Sequence, residues 1–227
     1  MGTPELRPAW YALRPGRLRD WVTVLHPPYT LWHLSYVAVG AALAPQFHLD
    51  RLAAALMAFF LALGIAAHVL DELRGRPLRT RIPAPALVAA AAVSLAGAVA
   101  IGVAAAVAWG SGLLVFVAVG ALLVPAYNLE WFGGRIHNDW GFALAWGAFP
   151  VLTGFFVEAQ TLRVEAVVAA AYATALSLAQ RTLSTTARTA RRSLGLPGDA
   201  AGVERALRLG TVAAVCIAAA AVAARLR

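Results

Sequence analysis

The sequence predicts an all-α, polytopic transmembrane bundle of about seven spans. Three observations carry that reading. The 227 residues are 61% hydrophobic and 13% charged, with a mean hydropathy of +0.71, whereas soluble domains are about half apolar and about a quarter charged. Apolar stretches recur at roughly the 20-residue length a bilayer requires. The charges gather between those stretches.

In order, the spans are read as 29–46, 51–71, 84–105, 107–127, 139–158, 163–183 and 206–225. An arm over 1–28 precedes one membrane domain over 29–227. The arm is polar, aromatic and proline-rich, without the short apolar core and small-residue cleavage site of a signal peptide. The first span opens on His26-Pro27-Pro28-Tyr29, and Tyr29, Trp32, His33 and Tyr36 recur at helical spacing on one face. The second span carries no charge from Leu52 to Leu70, then ends in Asp71-Glu72. Spans three and four are parted by a tight Gly110-Ser111-Gly112 turn, with Trp109 as interfacial anchor. Pro125 and Pro150 fall inside spans, where they predict kinks beside a cavity. The fifth span is aromatic, from Trp140 to Phe156. The sixth ends in a polar run from Gln180 to Arg192, and the seventh is alanine-rich. The lone Cys216 sits in that last apolar run and reads as packing; no disulfide framework is possible.

Arginine placement sets an expected orientation. All 19 basic residues are Arg, which in so alanine-rich a chain fits a GC-rich bacterial or archaeal genome. Fifteen fall in the arm and in the connections after spans two, four and six; Arg51, Arg163, Arg225 and Arg227 fall on the other side. The positive-inside rule then puts the N-terminus in the cytoplasm of a multi-pass plasma-membrane protein. A net charge of +8 would suggest nucleic acid in a soluble chain. Here topology and anionic lipid account for it, so no nucleic-acid partner is expected.

Ionisable groups at membrane depth are costly and mark sites. His68, Asp71 and Glu72 stand at i, i+3 and i+4, so one helix face is expected to present all three. Carboxylates with an imidazole suit Mg²⁺, which keeps waters and shares substrate phosphate oxygens. Arg74, Arg76, Arg79 and Arg81 follow and offer forked donors to phosphate. The bland alternative is an interfacial acidic pair neutralised by topology arginines. Gln180, Ser184 and Arg188 share a face at four-residue spacing, and Arg181, Thr185 and Arg192 form the adjoining stripe. These groups make either an anion cradle or a basic juxtamembrane helix on anionic lipid. The segment Tyr127-Asn128-Leu129-Glu130 to Asp139 has the polar density of a site and a Gly133-Gly134 hinge. His33 is a candidate by its depth, and aromatic faces can line an isoprenoid tunnel.

Together, His26-Pro-Pro-Tyr-Thr-Leu-Trp-His33, the acidic end of span two leading to Arg79-Thr-Arg81-Ile-Pro83, Trp146-Gly-Ala-Phe-Pro150-Val-Leu-Thr-Gly154 and the polar end of span six resemble the UbiA superfamily of intramembrane prenyltransferases. The resemblance covers His26 to about Arg192. It implies a helical bundle in which two Asp-rich motifs hold Mg²⁺ and a prenyl diphosphate, whose ionisation gives an allylic cation captured by an acceptor. The chain departs from that pattern. His68, Glu72 and Arg76 occupy the first motif's register with Asp71 one residue off, the second motif's place holds Gln180, Ser184 and Arg188 without a carboxylate, and seven spans replace the usual nine.

The expected function is transfer of a prenyl group from a polyprenyl diphosphate to a small or lipidic acceptor, with Mg²⁺ as cofactor and membrane lipid as surroundings. Asp71, Glu72 and His68 are the expected metal and catalytic set. Arg74, Arg79, Gln180, Arg181, Ser184 and Arg188 are expected on the diphosphate, with Asn128, Glu130, His33 and Tyr29 completing the substrate site. The alternatives are a terpene cyclase on the same scaffold, suggested by the aromatic density, and a non-catalytic isoprenoid-binding protein, suggested by the absent second Asp motif.

Overall fold

The computed structural model describes residues 7–193 and 197–227; residues 1–6 of the arm and the Arg192 side chain lie outside the described residues. A short helix α1 (Arg17–Val24) leads into α2 (Pro27–Leu43), α3 (Leu49–Leu73), α4 (Ala84–Trp109), α5 (Leu113–Asn128), α6 (Asp139–Ala159), α7 (Val164–Ser193) and α8 (Pro197–Arg225). A single 3₁₀ turn, Trp131–Gly134, lies between α5 and α6. The described residues form no strand.

The seven long helices follow the seven predicted segments in order, but they are not seven equal spans. Four are long and apolar enough to cross a membrane: α3, α4, α6 and the Ala200–Arg225 part of α8. α2 has 17 residues and α5 has 16, both short of the ~20 that span hydrocarbon without help from neighbours. Gly110, at φ +152°, stops α4, and Gly112 stands just before α5.

The radial distribution of side chains is that of a membrane protein. α4 buries Ala91, Ala98 and Ala105 and turns Val88, Val93 and Val107 outward. α5 exposes Val115 and Leu122 in the same way. Small residues inside let backbones approach, and large apolar residues outside have lipid as their solvent.

α2 is the hub, packed on α3, α6, α7 and α8. Its crossing with α6 is reciprocal. Gly40 of α2 lies against the Val151 carbonyl of α6, and Gly154 of α6 lies against the Val37 carbonyl of α2; a Cβ on either glycine would overlap the facing backbone. Beside the crossing, Trp32 Nε1 donates to Tyr36 Oη at 2.7 Å, and Ser177 of α7 donates to the same oxygen at 3.3 Å.

Two helices widen into π-type turns, Phe60–Ala67 in α3 and Leu144–Ala148 in α6. The second has a cause in the sequence. Pro150 has no N–H, and its ring displaces the carbonyl at i−4, which belongs to Trp146. The predicted disturbance at Pro150 is therefore a local widening one turn earlier, and it leaves the Trp146 carbonyl for another donor.

The α2–α6 crossing gives a test. Gly154→Leu should destabilise the protein by at least the ~1–3 kcal/mol typical of overpacking, because rigid backbone faces the new side chain. A clear fall in thermal unfolding temperature in detergent is expected; an unchanged midpoint would refute the crossing.

Candidate functional site

A polar cavity of about 340 Å³ opens among α2, α3, the end of α5, α6 and α7. α2 and the residue before it contribute His26, Tyr29 and His33; α3 contributes His68 and Asp71; α7 contributes Gln180, Arg181, Ser184 and Arg188. Tyr127 and Asn128 come from the end of α5, His137 from the following connection, and Phe142 and Trp146 from α6. An apolar groove adjoins it, walled by Phe59, Leu95, Phe116 and Phe149 among others, and Leu63 and Trp146 line both spaces. Both shared residues lie in the two π-type turns.

Backbone carbonyls orient three of the cavity's imidazoles. His33 Nδ1 lies 2.8 Å from the Trp146 oxygen. His68 Nδ1 lies 3.2 Å from the Gly64 oxygen, and His137 Nδ1 lies 3.0 Å from the Tyr127 oxygen. A carbonyl only accepts, so each Nδ1 carries the hydrogen, and in the neutral ring Nε2 is left as a bare acceptor. Each carbonyl comes from a place where the helical ladder is irregular: the two π-type turns, and the C-terminus of α5.

His26 differs. It stands at φ +45° before Pro27, stacks on His68 with ring centroids 4.3 Å apart, and shares a 2.7 Å hydrogen bond between Nδ1 and Tyr11 Oη. Burial, then the nearby His68 and Arg188, push its pKa well below the ordinary imidazole value, while burial pushes the Tyr11 phenol well up. Both groups are therefore neutral near pH 7.

Three buried polar atoms on residues lining the cavity have no hydrogen-bond partner among the described residues: His26 Nε2, Tyr127 Oη and Gln180 Oε1. Buried polar groups are nearly always paired. All three belong to residues of the cavity wall.

The predicted acidic pair is parted. Asp71 lines the cavity. Glu72 is fully buried elsewhere, where its carboxylate accepts from Leu78 N (2.9 Å), Thr80 N (2.8 Å) and Thr80 Oγ1 (2.9 Å). The expectation that one face presents His68, Asp71 and Glu72 together is thus corrected: Glu72 folds the following loop. Asp20 of α1 does the same, accepting from Arg81 N at 2.9 Å.

The arginine run is corrected likewise. Arg74 donates to Leu129 O and pairs with Glu130 at 2.8 Å, away from the cavity. Glu130, so paired, does not line the cavity either. Arg79 is exposed at φ +55°, and Arg76 donates to Ile82 O within its own loop. The cavity's guanidinium groups are those of Arg181 and Arg188. Arg181 is held by exposed Asp139 at 2.8 Å and lies 5.0 Å from the Phe142 ring centroid. Arg188 donates to Thr185 Oγ1, one turn back on α7, at 3.2 Å. Asn128 lines the cavity while its amide donates to Val124 O at 2.7 Å.

His26, Tyr127 and His137 were missing from the predicted site. The polar segment after span four and the His26-Pro27-Pro28 opening were the available signals. Tyr11, from the arm, carried none.

Glu72→Ala should strand the buried donors of Leu78 and Thr80 and cost about 1–3 kcal/mol, whereas Asp71→Asn should leave the unfolding midpoint nearly unchanged. Equal effects of the two variants would contradict the parting of the pair. Acid should also destabilise the fold through His26. The unfolded imidazole takes a proton below about pH 6.5 while the folded one resists, so this contribution is present above that pH and is lost as pH falls below it. The midpoint should fall between pH 7 and 5, and less steeply in His26→Gln.

No family model matches this chain, and no curated protein or solved structure matches it.

Proposed function

We propose that this protein is a membrane transferase of the UbiA kind, which binds a polyprenyl diphosphate from the cytoplasmic side and passes the prenyl group to an acceptor. The observation that carries the reading is a polar, arginine-bearing cavity adjoining an apolar groove, with Leu63 and Trp146 in the walls of both. An amphiphile with an anionic head and a hydrocarbon tail suits two adjoining spaces of opposite character. Arg181, Arg188 and Ser184 would bind the diphosphate by charge-assisted hydrogen bonds and stabilise it as it departs. Gln180, with its amide buried in the wall, and Asn128 would orient the bound groups. The cytoplasmic assignment rests on the arginine distribution.

Asp71 is the sole carboxylate lining the cavity among the described residues, and among those residues no three His, Cys, Asp or Glu side chains assemble into a metal centre. That donor set fits Mg²⁺ held jointly by Asp71 and the diphosphate's own oxygens, since Mg²⁺ commonly uses one or two carboxylates plus substrate phosphates. When bound, the ion would neutralise charge on the leaving diphosphate. His68, three residues before Asp71, stands beside it on the helix.

One observation favours a second reading, a non-catalytic isoprenoid-binding protein: with Glu72 withdrawn into the loop, a single carboxylate faces the cavity.

Purified protein in detergent, incubated with geranyl, farnesyl or geranylgeranyl diphosphate and either Mg²⁺ or EDTA, separates the readings. Mg²⁺-dependent pyrophosphate release is expected, lowered by roughly 10²-fold or more in Asp71→Asn. A cyclic product without acceptor would assign a cyclase. Tight binding without release at any chain length would assign the binding protein.

A further inference from the structure

Outside the cavity, one stretch of surface combines exposed apolar side chains with arginines. It lies around the loop over 74–83, which joins the long apolar helices α3 and α4. Polar contacts from that loop hold two neighbouring elements. Arg81 N donates to the Asp20 carboxylate of α1 at 2.9 Å. The Arg74 guanidinium donates to Leu129 O at 2.8 Å and pairs with Glu130, just past α5. Both α1 and the connection after α5 are therefore fixed at the end of the bundle where α3 and α4 meet the loop.

Each element turns apolar groups outward. α1 buries Asp20, Thr23 and Val24. Leu18 and Val22, one helical turn apart on the opposite face, are 82% and 46% exposed. Past α5, Trp131 and Phe132 are exposed, Phe132 at 71%. Phe132 stands at φ +57°, followed by Gly133 and Gly134 at φ +67° and +74°. A bulky residue in the left-handed region is costly, and burial within the bundle does not offset that cost at Phe132.

The unneutralised charge on this surface has one sign. Arg17, Arg19, Arg81 and Arg135 are exposed, and none is paired with a carboxylate among the described residues. The carboxylates of the same elements are engaged elsewhere: Asp20 accepts from Gly16 N and Arg81 N, Glu130 pairs with Arg74, and Asp139 pairs with Arg181. Apolar side chains flanked by guanidinium groups fit a lipid surface, where the former enter the headgroup–acyl boundary and the latter meet phosphate. Position favours lipid over a soluble partner. The surface sits where two helices long and apolar enough to cross a membrane leave it, so headgroups lie against it.

We infer that α1 and the Trp131–Gly134 turn form one docking surface for anionic phospholipid headgroups, separate from the cavity. A zwitterionic lipid satisfies the apolar side chains alone. The arginines supply the preference for anionic lipid, at about fivefold per guanidinium near such a surface.

The test places the full-length protein in nanodiscs of phosphatidylcholine alone, or of phosphatidylcholine and phosphatidylglycerol in equal parts. Cys216→Ala removes the lone native thiol, and Leu18→Cys or Phe132→Cys then carries a fluorophore. Acrylamide, which is uncharged and so indifferent to lipid charge, quenches a label in water; nitroxide-bearing lipid tails quench a label in the membrane. In the mixed lipid, both labels should be shielded from acrylamide and quenched by the nitroxide. In phosphatidylcholine alone, acrylamide quenching should rise by roughly fivefold or more. Arg17→Gln, Arg19→Gln and Arg81→Gln combined should give the same rise in the mixed lipid, with an unchanged unfolding midpoint because these side chains are exposed. Labels equally open to acrylamide in both lipids would overturn the inference. Shielding without nitroxide quenching would also overturn it, since protein would then cover the surface. So would shielding that is the same in both lipids and in the triple variant, because the arginines would then select nothing.

Discussion

The close approach of α2 and α6 is the constraint on which the rest depends. Gly40 and Gly154 let each helix meet the other's backbone, at a separation no larger residue would permit. That proximity brings His33 of α2 within 2.8 Å of the Trp146 carbonyl of α6. The carbonyl is free to accept because Pro150, four residues on, has no N–H. One crossing therefore packs the bundle, fixes an imidazole and places Trp146 in the walls of both cavity and groove.

Electrostatics inside the bundle follow a division of labour among carboxylates. Glu72 and Asp20 are buried; the loop over 74–83 gives Glu72 the N–H groups of Leu78 and Thr80 and gives Asp20 that of Arg81, with Gly16 N as its other donor. A buried carboxylate needs such donors, since an unpaired one would be far more costly. With these two on the loop, Asp71 is the one carboxylate lining the cavity among the described residues, beside Arg181 and Arg188. With two guanidinium groups to one carboxylate, the cavity wall is formally cationic. Asp139 offsets part of Arg181 from the solvent side, where it is 69% exposed and its attraction is screened.

Helix order was legible in the sequence because hydrophobic length and charge placement set it. The candidate site was legible in part. Four-residue spacing put Gln180, Ser184 and Arg188 on one wall, where all three line the cavity, and depth alone singled out His33. The acidic pair misled because spacing on an ideal helix cannot say which of two adjacent carboxylates a later loop will claim. Glu72 was claimed by Leu78 and Thr80, six and eight residues on. Arg74 misled for a similar reason, being captured by Glu130 from 56 residues away. Such long-range pairings leave no local periodicity. Of the two π-type turns, the one before Pro150 had a sequence cause, whereas the Phe60–Ala67 stretch of Phe, Leu, Ala, Gly and Ile contains no breaker but Gly64.

The two π-type turns also explain how the site changes character along the helix axes. A widened turn shifts the helix face that follows it relative to the face before it. In α3 the stripe passing through Leu63, Ala67, His68 and Asp71 runs from groove to cavity. In α6 the stripe from Phe149 through Trp146 to Phe142 runs the same way in space with the chain reversed. In α3 the lining passes from apolar residues to His68 and Asp71, while α6 lines both spaces with aromatic rings, and Leu63 and Trp146 belong to both walls. α3 needs no strong amphipathic pattern for this, because its lining changes character along its length.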